Sequence, residues 1–299
     1  MLAIIIVNYK NEERTIRYAA EELTKITIPH LIVIVNNSAN EESNKILSER
    51  LKADIVSKKE YVISKGQKIF ILPSHNNIGF AKGNNLGFQF CKTYFDPEYV
   101  LFTNNDIVFT SDKVVEKLIC KLNTLPDVGL IGPEIVGSDG AKQSPEPFVP
   151  FWDRFFWLYW LTPFLSMEKK RIRFRLNYSE KAEEGIHYKV MGAFFLMRAS
   201  DFEKCGMMDP HTFLFAEETI LSERLKNIGK NVYYYPKVQV LHEHGKTISN
   251  HLTDRRKLLT MFDSESHYYR SYRGINSFQI FCAKLSILLY LFIKRTKGK

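Results

Sequence analysis

The sequence predicts an α/β fold: a doubly wound, mostly parallel sheet with helices on both faces, followed by a C-terminal helical extension. Three observations predict it. First, short continuous apolar runs recur at Leu2–Val7, Leu31–Val35, Ile69–Leu72 and Val100–Phe102, as expected of strands covered on both faces. Second, segments with helical caps and apolar stripes separate them, which is the alternation that builds parallel sheets. Third, several runs end abruptly in polar residues: Asn8 to Asn11, Asn36 to Ser38, and Asn104 to Asp106. Open α/β sheets bind their ligands at the carboxyl ends of strands.

In chain order, Asn11 is placed to cap a helix from Glu12 to about Lys25, with acidic residues in its first turn. After the third strand comes a Gly/Asn-rich loop, His75 to Gly87, leading into a helix through about Tyr94. Glycines let a backbone approach a ligand closely, and a helix N-terminus favours anions. A loop whose glycines only satisfy turn geometry fits the same residues. The stretch Tyr99–Thr110 (YVLFTNNDIVFT) sets Asp106 between two strands. An acidic group flanked by amides suits a hard divalent cation, and an Asx turn is the plain reading. Ser111 is expected to cap a helix over about Asp112–Leu125. Val128–Gly132 reads as a short strand, and Pro133–Pro150 as loop.

Composition then changes. Residues 151–165 (FWDRFFWLYWLTPFL) hold all three tryptophans. They suit a lid, an exposed apolar patch facing membrane or lipid, or core. Lys169–Arg175 adds a basic run beside them. Strand character returns at Lys189–Arg198. Ser200 is expected to cap a short helix, Ala216–Ile228 to form another, and Val232–Tyr235 with Val238–Leu241 to close the sheet as a pair. The apolar segment Ile275–Ile293 and the basic end Lys294–Lys299 make the two-signal pattern of a peripheral membrane contact. A helix docked on its own domain or on a second subunit, giving a homodimer, fits equally.

A chain of 299 residues with 45% hydrophobic content can bury a sizeable core. The net charge of +9 points to an anionic partner. Charge alone is non-specific, so no nucleic-acid partner is expected. Four scattered cysteines form no C-x-x-C, so neither zinc nor a disulfide framework is indicated and a reducing, cytoplasmic setting is expected. The N-terminus reads as a strand rather than a signal peptide, and Lys284 interrupts the nearest approach to a membrane span. No G-x-G-x-x-G follows the first strand, which excludes a dinucleotide oxidoreductase of the usual kind. The glycine-free VNYKNEE argues against a sugar nucleotidyltransferase.

The order of the motifs resembles the inverting GT-A-fold glycosyltransferases of family 2, the branch that includes bacterial rhamnosyltransferases. VNYKNEE is similar to that family's first-strand loop, NNSANEES to its second, and NNIGFAKGNNLG to its N-x-G-x-A-x-G-x-N loop. TNND stands at its metal-binding position, VGLIGPEIVGSDGAKQ resembles the next segment, and the block from MGAFF through FAEETILSERL to LHEHG resembles its acceptor side. The resemblance covers about residues 2–250. It implies a GT-A-type nucleotide-diphospho-sugar transferase domain over 1–245, divided into a donor half 1–132 and an acceptor half 133–245, with 246–299 as the extension. It also implies a nucleoside-diphosphate sugar donor, a saccharide or lipid-linked acceptor at the cytoplasmic face of the inner membrane, and Mn²⁺ or Mg²⁺ as cofactor. The implied metal ligands are Asp106, Asn104 and His242. Glu218 is the implied general base, with Glu217 beside it, and Asp209 an acceptor contact. Asn8, Tyr9, Asn36, Asn77, Gly79, Lys82, Gly83, Asn84 and Asn105 would hold the donor. Val35, Asn104 and Ile220 stand where the family's acidic residues are usual. These departures sustain one rival of another class, a catalytically weak nucleotide-sugar-binding scaffold subunit.

Overall fold

Strand β1 (Leu2–Asn8) is the hub of the sheet. Leu2, Ile4 and Ile6 point to one face, Ala3 and Ile5 to the other, and all five are fully buried, as the two-residue period of a strand requires. The structure is a computed structural model. It describes the chain apart from residues 57–61, 158–159, 161–164, 167, 170–177, 244–253 and 298–299, and, within helices, the side chains of 254 and 294–297. Most of Lys169–Arg175 and all of His244 therefore lie outside the described residues.

The order across the sheet is β3-β4-β2-β1-β5-β9-β7-β10-β6, with β8 added on β10. Its first half is parallel: β1 pairs with β2 (His30–Asn36) and β5 (Tyr99–Thr103), and β4 (Ile69–Pro73) pairs with β2 and β3 (Asp54–Ile55). Strand β9 (Phe194–Arg198) turns the sheet antiparallel between β5 and β7 (Val128–Gly137). The last strand, β10 (Asn231–His242), runs parallel to β7 and antiparallel to β6 (Ile107–Phe109) and β8 (Gly185–His187).

Side-chain alternation produces two cores. On one face, Leu2, Ile4, Ile34 and Leu101 pack with α1 (Glu12–Arg17), α2 (Glu41–Leu51) and α4 (Val114–Asn123). On the other, Ile5, Val33, Phe70 and Phe102 pack with α3 (Phe80–Tyr94), α5 (Ala199–Lys204) and α6 (Glu217–Asn227). Helix α3 lies close on the sheet because it carries glycine there. A Cβ on Gly87 would stand 2.7 Å from Ile5 Cγ2 and 3.2 Å from Val35 Cγ2.

A third core joins the aromatic segment to the tail. Phe151 and Phe155 pack with Ala216 and Ile220, with Phe262, Tyr268 and Tyr269 of α7 (Asp254–Arg273), and with Ile280, Ala283 and Ile287 of α8 (Ser277–Lys297). Part of the aromatic run is therefore ordinary core, while Trp152 and Trp157 stay over one-third exposed.

Several expected boundaries shift. The first helix ends at Arg17 and continues as a π turn and a 3₁₀ turn to Lys25, and Asn11 makes no side-chain cap bond. Lys113, in the left-handed region at φ 57°, precedes α4 in place of Ser111. Arg198 rather than Ser200 precedes α5. Strand β7 runs on through Pro133 to Gly137. The two expected closing strands are one, and Pro236 falls in the register shift between Tyr235 and Gln239. Proline is tolerated at such irregularities, where no ladder N–H is needed.

Candidate active site

Asp106 occupies the two-strand corner that the sequence singles out. The antiparallel pairing of β6 with β10 puts His242 opposite Ile107, so the end of the last strand arrives beside Asp106. His242 Nε2 lies 3.2 Å from Asp106 Oδ1, and both residues are over nine-tenths buried. His242 Nδ1 faces Gln143 Oε1 at 2.9 Å. An amide oxygen accepts, so Nδ1 is the donor and Nε2 is the ring nitrogen that faces Asp106. Asp106 Oδ1 is buried and has no hydrogen-bond partner. An imidazole nitrogen and a carboxylate oxygen facing one another in a buried corner fit a divalent cation. Arg14 Nη1 stands 3.9 Å from Asp106 Oδ2 while its Nη2 donates to the Glu243 carbonyl at 2.8 Å, adding positive charge beside Asp106.

The acceptor-side pair opens α6. Phe215 and Ala216 both adopt left-handed backbone, at φ 77° and 68°, a cost usually retained at functional sites. Glu217 is buried, and its Oε1 has no hydrogen-bond partner. Burial, then the neighbouring Glu218 carboxylate, push the Glu217 carboxyl up to about 8. Glu218 is the more accessible of the two at 21% side-chain exposure. Lys189 Nζ lies 3.9 Å from Glu218 Oε1 and 3.0 Å from Glu146 Oε2. Burial opposes the charge on Lys189, but the Glu146 and Glu218 carboxylates prevail and raise its pKa.

One turn joins the two halves of the site. The Asn104 N–H donates to the Ala193 carbonyl at 2.9 Å. At adjacent Gly192, a Cβ would stand 3.4–3.5 Å from the Glu218 carboxyl. The cation corner and the carboxyl pair therefore meet over the turn that starts β9.

The donor-side residues divide differently. Asn8 Nδ2 donates to Asn36 Oδ1 at 2.9 Å, and Thr15 Oγ1 donates to Asn8 Oδ1 at 2.8 Å. Asn36 Nδ2 donates to Ser43 Oγ and Asn44 Oδ1. Asn105 Nδ2 donates to Thr15 Oγ1, and Asn84 Nδ2 to the Phe80 carbonyl. Asn8, Asn36 and Asn105 tie β1, β2, α1 and α2 together, and Asn84 bonds within α3. Asn77 Oδ1 accepts from Gly79 N. A Cβ on Gly79 would stand 2.5 Å from the Phe213 carbonyl oxygen, and one on Gly83 3.0 Å from Val7 Cγ2, so both glycines serve close packing. Tyr9 is half-buried and Lys82 exposed.

Asp209 is held by five groups. Oδ1 accepts from the His211 N–H and Nδ1, and Oδ2 from His267 Nε2 and the Tyr272 hydroxyl, with Arg224 Nη2 at 3.3 Å. Burial acts to raise its pKa, but the His267 and His211 donors outweigh it and hold the carboxyl well below the usual range. Asp209, His211 and His267 can bring ligand atoms within 4.8 Å of one another. The Arg224 guanidinium and the full set of donors make this a carboxylate cage, which suits a cation less well than the Asp106 corner does.

Gln143, Arg14, Lys189 and Gly192 join the site without having been singled out. Gln143 ends a segment that already resembled the family; Lys189 and Arg14 carry no signal in a single sequence. Val35 and Ile220, where acidic residues were expected, are fully buried in the second and third cores.

The profile of Glycosyl transferase family 2 matches residues 4–206. The N-acetylglucosaminyl-diphospho-decaprenol L-rhamnosyltransferase of Mycobacterium tuberculosis is 24% identical over 209 residues, 66% of this chain and 67% of that one. The low-salt glycan biosynthesis hexosyltransferase Agl10 of Haloferax volcanii is 23% identical over 91% of this chain and 73% of its own. Rhamnosyltransferase WbbL of Escherichia coli is 26% identical over 55% of this chain and 60% of its own. Among solved structures, GalNAc-T7 with UDP, GalNAc and Mn²⁺ superposes with a TM-score of 0.56 at 15% identity over 82% of this chain and 44% of that one. S. aureus TarS 1–349 gives 0.51 at 12% identity over 91% and 73%. Those two likenesses show the GT-A fold, and the profile match spans most of the region that carries the motif order. The chain belongs to glycosyl transferase family 2.

Proposed function

We propose that this glycosyltransferase is inverting and metal-assisted, and that it moves a sugar from a nucleoside-diphosphate sugar to a hydroxyl of a saccharide or lipid-linked acceptor in cell-surface glycan synthesis. The observation that carries the reading is the meeting, across the Gly192–Ala193 turn, of the Asp106–His242 corner with an accessible carboxyl at Glu218. Its cellular part draws on the relatives, which act in decaprenol-linked and low-salt glycan synthesis by name.

Glu217 is the carboxyl that burial keeps protonated at neutral pH, so it is the poorer base. Glu218 accepts the proton of the attacking hydroxyl, and Lys189 holds its carboxylate in place. The hydroxyl oxygen bonds to the anomeric carbon as the bond to the diphosphate oxygen breaks on the opposite side, which inverts the configuration. Asp106 and His242, with Asn104 nearby, would hold the cation, which when bound neutralises charge on the departing diphosphate. A His–carboxylate–phosphate donor set suits Mn²⁺ as well as Mg²⁺. Arg14 stands ready to screen the same charge.

The test is a thermal-shift panel of nucleoside diphosphates and their sugars with and without Mn²⁺, followed by the same panel on Glu218→Gln. A nucleotide-specific, metal-enhanced shift that survives in a variant without turnover supports the reading. Full turnover in Glu218→Gln refutes the base assignment, and a nucleotide shift in a wild type that shows no turnover favours the scaffold subunit.

A further inference from the structure

Helix α8 has two apolar faces, and only one is packed among the described residues. Ile280, Ala283 and Ile287 are buried in the third core. Phe278, Phe281, Leu285, Leu288, Leu289 and Phe292 lie outside it at 38–72% exposure. At 3.6 residues per turn these six fall within an arc of about 100° along a helix about 31 Å long. Trp157, in the turn packed against α8, and Trp152, just before that turn, are exposed as well.

The charge on this element has one sign. Residues 277–299 contain five basic residues, Lys284, Lys294, Arg295, Lys297 and Lys299, and no acidic one. Exposed Lys284 borders the stripe. A second copy docked through this face would bring two such sets of like charge together. An anionic lipid surface complements both the apolar stripe and the charge. No helix among the described residues is long and apolar enough to cross a membrane, so the helix would lie on the bilayer.

We propose that the outer face of α8, with Trp152 and Trp157 at its flank, docks the protein on an anionic bilayer. The buried face of the same helix packs in one core with Ala216 and Ile220, the residues that bracket the Glu217-Glu218 pair. Docking there fixes the carboxyl pair relative to the lipid surface.

The test is flotation of the full chain with vesicles of pure phosphatidylcholine and with vesicles containing a quarter phosphatidylglycerol, at low and high salt. The wild type should float with the anionic vesicles, less so at high salt, and remain behind with the neutral ones. A Phe278→Ser, Phe281→Ser, Phe292→Ser triple variant should lose binding by about tenfold or more. These side chains face outward, so its circular dichroism and melting should match the wild type. Failure of the wild type to float with anionic vesicles overturns the proposal. So does light scattering that finds a dimer which the triple variant dissociates.

Discussion

The two adjacent glutamates at the start of α6 should separate cleanly in a pH experiment. Glu217 has its carboxyl raised from 4.5 to about 8 by burial and by Glu218. A carboxyl that holds its proton more tightly when folded stabilises fully below its unfolded pKa. That contribution is lost as pH climbs through the folded one, because the native state binds the extra proton only in between. Stability should therefore fall between about pH 4.5 and pH 8. At ~1.36 kcal/mol for each pH unit the ceiling is ~5 kcal/mol, and relaxation around the ionised pair should leave ~2 kcal/mol of it. Replacing Glu217 by glutamine keeps the neutral form's shape and removes the titration. The assay is thermal melting of wild type, Glu217→Gln and Glu218→Gln from pH 5 to 9. At pH 8.5 Glu217→Gln should melt above wild type by roughly 4 °C, and its curve should be flat where the wild type declines. Glu218→Gln should flatten the decline only in part, since the Glu218 charge is the smaller cause of the shift. Turnover should divide the other way at neutral pH: Glu217→Gln retains it, and Glu218→Gln loses ~10²–10⁴-fold. Parallel melting profiles for wild type and Glu217→Gln, or equal loss of turnover in both variants, would refute this division of roles.

Other perturbations probe the rest of the frame. Asp106→Ala should abolish the Mn²⁺ dependence of nucleotide binding, and Gln143→Leu should weaken it by about 10–100-fold by releasing the His242 tautomer; calorimetry of nucleotide with and without Mn²⁺ checks both. Gly79→Ala must push a Cβ against the Phe213 carbonyl from a backbone at φ +86°, so it should cost about 2–4 kcal/mol in urea unfolding. Asn36→Ala should destabilise by about 2–3 kcal/mol yet leave nucleotide affinity near wild type, because its amide bonds only to protein. A large affinity loss with unchanged stability would restore Asn36 to the donor site.

The parallel half of the sheet was legible because its strands are buried on both faces and therefore read as unbroken apolar runs, Leu2–Val7 being the clearest. The antiparallel half was less so. Strand β10 alternates buried and partly exposed residues around Pro236, which a sequence reading breaks into two strands. Asp106 and the Glu217-Glu218 pair stood out as candidates because short polar interruptions of apolar or aromatic segments are rare. The roles of the asparagines did not, since an amide at a strand end looks the same whether it meets a nucleotide or another amide. Gln143 and Lys189 reach the site from long, irregular connections, and only the folded chain shows where those end.

The asparagine network clarifies how the first half of the site is built. Asn8 and Asn36 stand at matching ends of β1 and β2, in register with each other. Had both been carboxylates, two like charges would face one another in a buried place, each needing a cation or a proton. As amides they satisfy each other, and Thr15, Ser43 and Asn44 complete the set. Asn105 extends the same chain of bonds to the residue beside Asp106. The carboxylates beside this network are each held by neighbours: Glu12 accepts from Ser38 and Ser43, Asp106 stands beside Arg14 and His242, and Glu243 lies between Arg14 and Arg17. On the proposed reading, a diphosphate entering this end would be attracted by Arg14 and by a cation held at Asp106. Donor affinity would then depend on the Asp106–His242 corner, so the Asp106 and Gln143 variants test the proposed reading more directly than any change to the asparagines.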